Sequence, residues 1–319
     1  MRISDFFNLS TGHINFDFID IDTNKDTELF IDPCLIETEK TPFCKKAKLT
    51  LDSFFDSFFN LYRSNTTYSQ KEQLLSHAHE INATKLGYGN GNNGKAKTAE
   101  GIIETFESLK NLADSNVPLS KAIDLNIFVP DFAEDCLSDF ITNILFYELS
   151  EFTLMQCQKY SVDTQDVVET HYFWDVSSST WKKYSGKGLY IDGKLILLVP
   201  KNIVRHSYYY TTEQYFRMII LCKKQRELTT YDDKGKEIFP SKKYLRESLL
   251  KTNSDILDVC EKETVLDPYL LITHHNNISS CYNNRNMPNQ ELDYWVYERR
   301  ESAAISLHFS FYSFNHFFK

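Results

Sequence analysis

What this sequence does not contain narrows it first. Its seven cysteines, Cys34, Cys44, Cys136, Cys157, Cys222, Cys260 and Cys281, include no Cys-x-x-Cys pair and are odd in number. That pattern fits reduced, buried thiols and a cytoplasmic protein better than a disulfide framework. The opening stretch MRISDFFNLSTGHINFDF lacks the basic region and apolar run of a signal peptide. No run approaches about 18 uninterrupted apolar residues, so no membrane-spanning helix and no membrane partner are expected. Excess positive charge is missing too: 35 Lys and Arg stand against 44 Asp and Glu, a net charge of -9. A nucleic-acid partner would therefore need a local basic face.

Several catalytic signatures are also absent. There is no Gly-x-Ser-x-Gly elbow and no Cys/His nucleophile pattern. The acids Asp17, Asp20, Asp22, Asp26 and Asp32 do not follow the spacing of a calcium-binding EF-hand. His274-His275 and His77-x-His79 have no cysteine or acidic partners at zinc-like spacing. No internal repeat is visible.

What is present reads as an ordinary globular chain of 319 residues, 42% hydrophobic and 25% charged, long enough for a well-buried core. The pattern in 14–32 predicts a β-hairpin with Phe16, Phe18 and Ile21 inward, Asp17, Asp20 and Asp22 outward, and Pro33 as its end. Helical spacing of Leu51, Phe54, Phe55, Phe58, Phe59 and Tyr62 predicts a helix over 47–63. Further helices are expected over 69–82, capped by Ser69, and from Thr98 to about Ala113. One long helix should follow Pro130, with Ile141, Ile144, Leu145, Leu149, Phe152 and Met155 as its apolar stripe. Residues 167–174 read as a strand. Residues 188–204 read as a hairpin turning at Asp192-Gly193, with Leu195 to Val199 apolar enough for a central strand. Helices over 211–228 and from Ser241 to about Glu263 flank a turn at 231–236. The fold class expected is α/β: a small mixed β-sheet flanked by helices, with a main domain over 1–270, a helical subregion within 47–160, and an irregular tail over 271–319. In the tail, Ile305, Leu307, Phe309 and Phe311 alternate with polar residues like a final strand, and its aromatics suggest a protein partner.

Four constellations carry candidate chemistry. LGYGNGNNGKAKTAEGI comes one residue short of a phosphate-binding loop. It follows a helical segment instead of a strand, and Ala96 stands where Ser or Thr would hold magnesium. A mobile turn is the simpler reading, although Lys95 at a helix start suits a phosphate contact. Glu134, Asp135 and Asp139 begin the long helix. Asp135 and Asp139 share a face and suit either a metal or plain helix capping.

The third set is Asp175, Asp192 and Lys201. IDGKLILLVPK ends an apolar strand on a lysine, and Asp175 ends a neighbouring strand. Metal-dependent nucleases of the PD-(D/E)xK kind use acids to gather the cation and a lysine to stabilise charge on the phosphate. The likeness is degenerate, since Val199 stands where the glutamate should be. The fourth set is basic: Lys201, Arg205, Lys223, Lys224, Arg226, Lys242, Lys243, Arg246 and Lys251, interleaved with Tyr208 to Tyr210 and Tyr244. Aromatic interleaving suits stacking on bases, and a solvated helical face has the same composition.

LFIDPCLIE, LGYGNGNNGKAKTAEGI, EDCLSDFITNIL, KLILLVPKNIVR and PSKKYLRESLL resemble segments of an uncharacterised family of bacterial cytosolic proteins, over roughly residues 10–270. The resemblance implies a place in prokaryotic antiphage defence and supplies no catalytic residues. The leading expectation is a nuclease acting on DNA or RNA. Asp139, Asp175 and Asp192 would hold Mg2+ or Mn2+, with Asp139, Asp175 and Lys201 catalytic. Lys95, Arg205, Lys223, Lys224, Lys242, Lys243 and Arg246 would grip the phosphate backbone. The rival expectation is a non-enzymatic protein-interaction subunit of a multi-component bacterial system. Scattered acids and a large apolar surface patch would favour the rival.

Overall fold

Aromatic side chains organise the first half of the chain. A computed structural model describes residues 1–64, 66–78, 82–88, 99–282 and 285–299. After a short turn of helix, α1 (Ile3–Phe6), comes a two-residue strand β1 (Phe30–Ile31) and α2 (Pro33–Thr38). The long α3 (Pro42–Arg63) is capped by Thr41, whose hydroxyl accepts from the Cys44 amide at 3.2 Å. Its apolar stripe falls where the spacing places it: Phe54, Phe55, Phe58, Phe59 and Tyr62 are buried. These rings meet Phe106, Phe140, Trp174 and Trp181 in edge-on and tilted contacts with centroids 5.0–6.0 Å apart, the geometry that ring quadrupoles favour.

Shorter helices close over this stripe. They are α4 (Tyr68–Leu75, capped by Thr67 rather than Ser69), α5 (Ala99–Phe106) and α6 (Leu109–Asp114), whereas α7 (Ile123–Phe128) packs Phe128 edge-on against Tyr215. The long helix expected after Pro130 is two, α8 (Glu134–Ile144) and α9 (Phe146–Tyr160), broken at Leu145. Its stripe is buried through Phe152, but Met155 is exposed. Ser161 ends α9 in the left-handed region.

The strands form four small antiparallel sheets among the described residues. β2 (Gln165–Asp166), β5 (Lys187–Ile191) and β6 (Lys194–Ile196) make one; β3 (Tyr172–Asp175) and β4 (Thr180–Lys183) make another. The β5–β6 turn is the expected Asp192-Gly193, both residues at positive φ, as a tight primed turn requires. The expected central strand is shorter. After Ile196 the backbone leaves the sheet, the Leu197 amide donates to the Ala83 carbonyl and that of Leu198 to Thr153 Oγ1. A 3-10 turn (Lys201–Ile203) leads into β7 (Val204–Arg205), which pairs with β1.

The N-terminal hairpin is not formed. The chain does turn at Thr23-Asn24-Lys25, but its two arms pair elsewhere: Phe18 bridges to Pro200, Asp22 to Arg2, Thr27 to Leu86, and β1 to β7. Asp20, expected on a wet face, is buried, because its carboxylate accepts from the Ser4 amide and hydroxyl, both at 2.7 Å. Burial of this side chain breaks the alternation at Ile19-Asp20-Ile21.

The last third is helical. α10 (Thr212–Tyr215) passes through a π-helical turn (Phe216–Ile220) into α11 (Leu221–Glu227). A small hairpin, β8 (Thr230–Tyr231) and β9 (Glu237–Ile238), precedes α12 (Lys242–Leu250), which Ser241 caps as expected. The helix expected to reach Glu263 breaks and restarts as α13 (Ile256–Leu266), capped by Asp255. Then come α14 (Tyr269–Tyr282) and α15 (Asn289–Asp293), which continues as a π-helical turn (Tyr294–Glu298). α14 and α15 belong to the same core as the rest: Leu271, Ile278, Tyr282, Leu292 and Val296 are buried within it.

The C-terminal segment is clasped to the N-terminus by polar contacts. His13 Nδ1 meets Asp293 Oδ1 at 2.6 Å, and the Asp20 amide donates to His13 Nε2 at 3.2 Å. Those partners fix the neutral tautomer with its proton on Nδ1. Tyr297 donates to Asp20 at 2.8 Å, and Arg2 donates to the Val296 carbonyl at 2.7 Å. The proposed strand over 305–312 and the aromatic tail from 300 lie outside the described residues. No helix among the described residues is long and apolar enough to cross a membrane.

Candidate functional site

The acids expected to hold a metal sit on three different elements. Asp139 is half-buried on α8, where its charge acts on Tyr208 and Cys136. Asp175 ends β3 and closes the β3–β4 turn: its Oδ2 accepts from Ser177 (2.6 Å), from the Ser178 amide (3.0 Å) and hydroxyl (2.5 Å), and from Lys182 (2.8 Å). The Lys182 ammonium and these donors hold its carboxyl well below the usual range. Asp192 is exposed at the tip of the β5–β6 turn. Among the described residues, no three His, Cys, Asp or Glu side chains gather as a metal-ligand group. Asp139, Asp175 and Asp192 therefore do not fit one Mg2+ or Mn2+ ion.

Lys201 does not join them. Its ammonium donates to the His13 carbonyl, with Asp17 and Asp293 nearby, and burial holds its pKa below the ordinary value. It ties the 3-10 turn to the N-terminal segment. Of the other helix-start acid, Asp135, the structure makes a loop anchor. Its Oδ1 accepts from the Tyr88 amide at 3.2 Å and lies against Gly87. Gly87 takes φ +117, a backbone conformation that side chains bearing a Cβ rarely adopt. The rest of the Gly-Asn loop, with Lys95, lies outside the described residues.

The basic set is largely occupied by carboxylates and carbonyls of its own chain. Lys223 faces Glu263 (3.6 Å) and Asp267 (3.3 Å); Lys224 faces Glu263 (2.8 Å) and Glu227 (3.4 Å). Lys242 donates to the Arg217 carbonyl at 2.9 Å, and Arg246 pairs with Glu213 at 2.5 Å. Lys243 is exposed.

Arg205 departs furthest from the sequence expectation, being buried. Its Nε stands 3.9 Å from Asp32 Oδ2, its guanidinium lies 3.9 Å from the Tyr209 ring centroid, and it donates to the Arg285 carbonyl. Asp32, in the FIDPC segment, caps α2: Oδ1 accepts from the Cys34 amide and from Tyr210, each at 2.8 Å. Oδ2 is buried without a hydrogen-bond partner. Burial pushes the Asp32 carboxyl up to about 6, against the pull of Arg205 and Tyr210. Tyr208 donates to the Ile31 carbonyl at 2.5 Å, and its ring stacks on Tyr210 at 5.0 Å. Tyr208 and Tyr210 are core and half-buried Tyr209 lies against Arg205, so the run is not an open base-stacking platform. Composition made this run look exposed; only the β1–β7 pairing turns it inward.

The surface offers a different feature. The β8–β9 hairpin pairs Thr230 with Ile238 and Tyr231 with Glu237, so Tyr231 and Ile238 point to opposite faces of the ribbon. Both are exposed, at 66% and 53%, as are Leu228 (53%), Phe239 (55%) and Tyr244 (62%). Neither face of this ribbon covers the core. The loop is self-contained: Asp232 Oδ1 accepts from the amides of Lys234 (2.9 Å) and Lys236 (2.8 Å), and Gly235 takes φ +76. At its base Gln225 donates to the Pro240 carbonyl at 2.8 Å. Sequence reading registered only the turn at 231–236, because two-residue strands leave no alternation to detect.

No curated protein and no solved structure matches the chain. A family profile described as a domain of unknown function, DUF8370, matches residues 8–212. That span holds FIDPC, Asp135, Asp139, Asp175, Lys201 and Arg205, and ends before the exposed hairpin. With most of its length matched, the chain belongs to the DUF8370 family.

Proposed function

We propose that the protein is a non-enzymatic interaction subunit that docks a partner protein on its β8–β9 hairpin and the start of α12. The observation that carries this reading is the hairpin and its flanks: five large apolar side chains are exposed within residues 228–244, and two of them, Tyr231 and Ile238, lie on opposite faces of the ribbon. Isolated two-stranded hairpins are marginal in water, and exposed apolar clusters of this kind mark contact surfaces. Among the described residues the strands also leave their outer edges unpaired, which suits addition of a partner strand. Charge supports the choice of partner. Lys223, Lys224 and Arg246 are taken up by carboxylates of the chain, but Lys234, Lys236 and Lys243 stand exposed among these apolar side chains. A partner with an acidic rim around an apolar centre is the complement.

The metal-dependent nuclease reading finds less support. It asks Asp139, Asp175 and Asp192 to hold a metal and Lys201 to stabilise the phosphate, whereas Asp139 lies on α8, Asp175 holds a turn with Lys182, Asp192 tips another turn, and Lys201 grips a carbonyl. The proposal is tested by affinity capture from a lysate of the source cells, comparing the wild-type protein with a Tyr231→Ser, Ile238→Ser, Phe239→Ser triple variant. A protein retained by the first and lost by the folded second is expected. Equal capture by both would move the docking surface elsewhere.

A further inference from the structure

We propose that the cleft between α3, α4 and the β3–β4 hairpin binds an uncharged planar heterocycle of the nucleobase class, presented as a free nucleoside. The site is independent of the docking hairpin. Its cavity measures about 390 Å³, within the range of small-molecule sites. Trp174 and Trp181 form one wall, their rings at 83° and 5.7 Å apart. His77 continues it, stacked on Tyr172 at 3.6 Å and edge-on to Trp181 at 5.8 Å. Gln73 and Thr180 bring amide and hydroxyl groups to the opening.

Both indole N–H groups are already engaged: Trp174 donates to Ser53 at 3.1 Å and Trp181 to the Leu74 carbonyl at 2.6 Å. Trp174 itself is buried, so what the wall offers a ligand is the ring surface of half-buried Trp181 and His77, not indole hydrogen bonds. A further flat ring would extend the same tilted cluster. Charge then separates the ligand classes. Among the described residues, no Asp, Glu, Lys or Arg lines the cleft. A phosphate would find no cation. A free sugar, held through its hydroxyls alone, would find no carboxylate to pair with them. A base edge, with alternating neutral donors and acceptors, is matched by glutamine amides and hydroxyls.

The test is calorimetric titration of the full chain with adenosine, guanosine, cytidine and uridine, with the four 5′-monophosphates, and with glucose and maltose. At least one nucleoside should bind with a Kd of about 100 µM or tighter. Its monophosphate should bind no tighter. Thr180→Arg places a charged, bulky chain at the exposed mouth and should weaken binding at least about tenfold while the thermal melt stays unchanged. Gln73→Ala, on an exposed helix position, should weaken it without touching the indoles. Absence of heat with every nucleoside, binding of a sugar instead, tighter binding of the monophosphates, or full affinity in both variants would overturn the proposal.

Discussion

Arg205 and Asp32 confront each other inside the core at 3.9 Å, too far for a hydrogen bond, and Asp32 Oδ2 is buried with no hydrogen bond of its own. The pair joins β7 to the cap of α2, so it sits where the two ends of the DUF8370 span meet. Burial outweighs the attraction of Arg205, and the carboxyl rises from its usual 3.8 to about 6. An acid whose pKa is higher in the folded state favours folding when protonated. Stability from this group is therefore greatest below about pH 4 and declines by about 3 kcal/mol as pH climbs past about 6. Arg205→Met removes the charge that restrains the rise. The variant should lose about 3 kcal/mol at pH 8, and less at pH 5, where Asp32 is largely protonated in both proteins. Urea denaturation at the two pH values checks this; an equal loss at both would show that Arg205 acts through packing alone.

His274 supplies the opposite slope. Its Nε2 is buried without a partner, its ring meets Tyr215 edge-on at 5.2 Å, and burial lowers its pKa from 6.5 to about 4. A base held neutral by folding destabilises the folded state as pH falls through 6.5. Between pH 8 and pH 5 the wild-type protein should lose about 2 kcal/mol from this histidine. In His274→Phe that loss should vanish from the difference between the two pH values, whatever the packing change does to both. The neighbouring His275 pairs with Asp124 at 2.7 Å, so the His274-His275 pair divides into one orphan and one satisfied side chain.

The clasp between the termini gives a local prediction. Asp293 accepts from the His13 amide at 2.9 Å and from its ring. Asp293→Ala should loosen α15 and the π-helical turn after it, and limited trypsin digestion should cut at Arg299 several-fold faster. Unchanged cutting would mean that Arg2 and Tyr297 hold the segment without it.

A cleavage assay separates the two functional readings. With Mg2+ or Mn2+ and plasmid DNA, single-stranded DNA or RNA, no cutting is expected above that of a mock purification. Metal-dependent cutting that disappears in both Asp139→Ala and Lys201→Ala would restore the nuclease.

Helices and turns were legible in the sequence wherever one local rule acted alone. The α3 stripe, the Ser241 cap and the Asp192-Gly193 turn each follow from spacing or backbone preference within a few residues. The roles of charged residues were not legible. Asp20, Asp32 and Arg205 look like surface charges in sequence, and their burial depends on partners at Ser4, Tyr210 and Arg285, brought together only by the fold. Lys223 and Lys224 look like a basic patch until α13 places Glu263 beside them. A candidate site drawn from residue type alone therefore collected mostly charges engaged within the chain, such as Asp175, Lys201 and Lys224, and missed a hairpin whose strands are two residues long.

The docking surface is tested most directly by hydrogen exchange on the purified protein with and without the partner recovered by capture. Residues 228–244 should exchange quickly alone and become protected in the complex, with little change across α3 and α8. Protection that leaves 228–244 untouched and falls elsewhere would contradict the account.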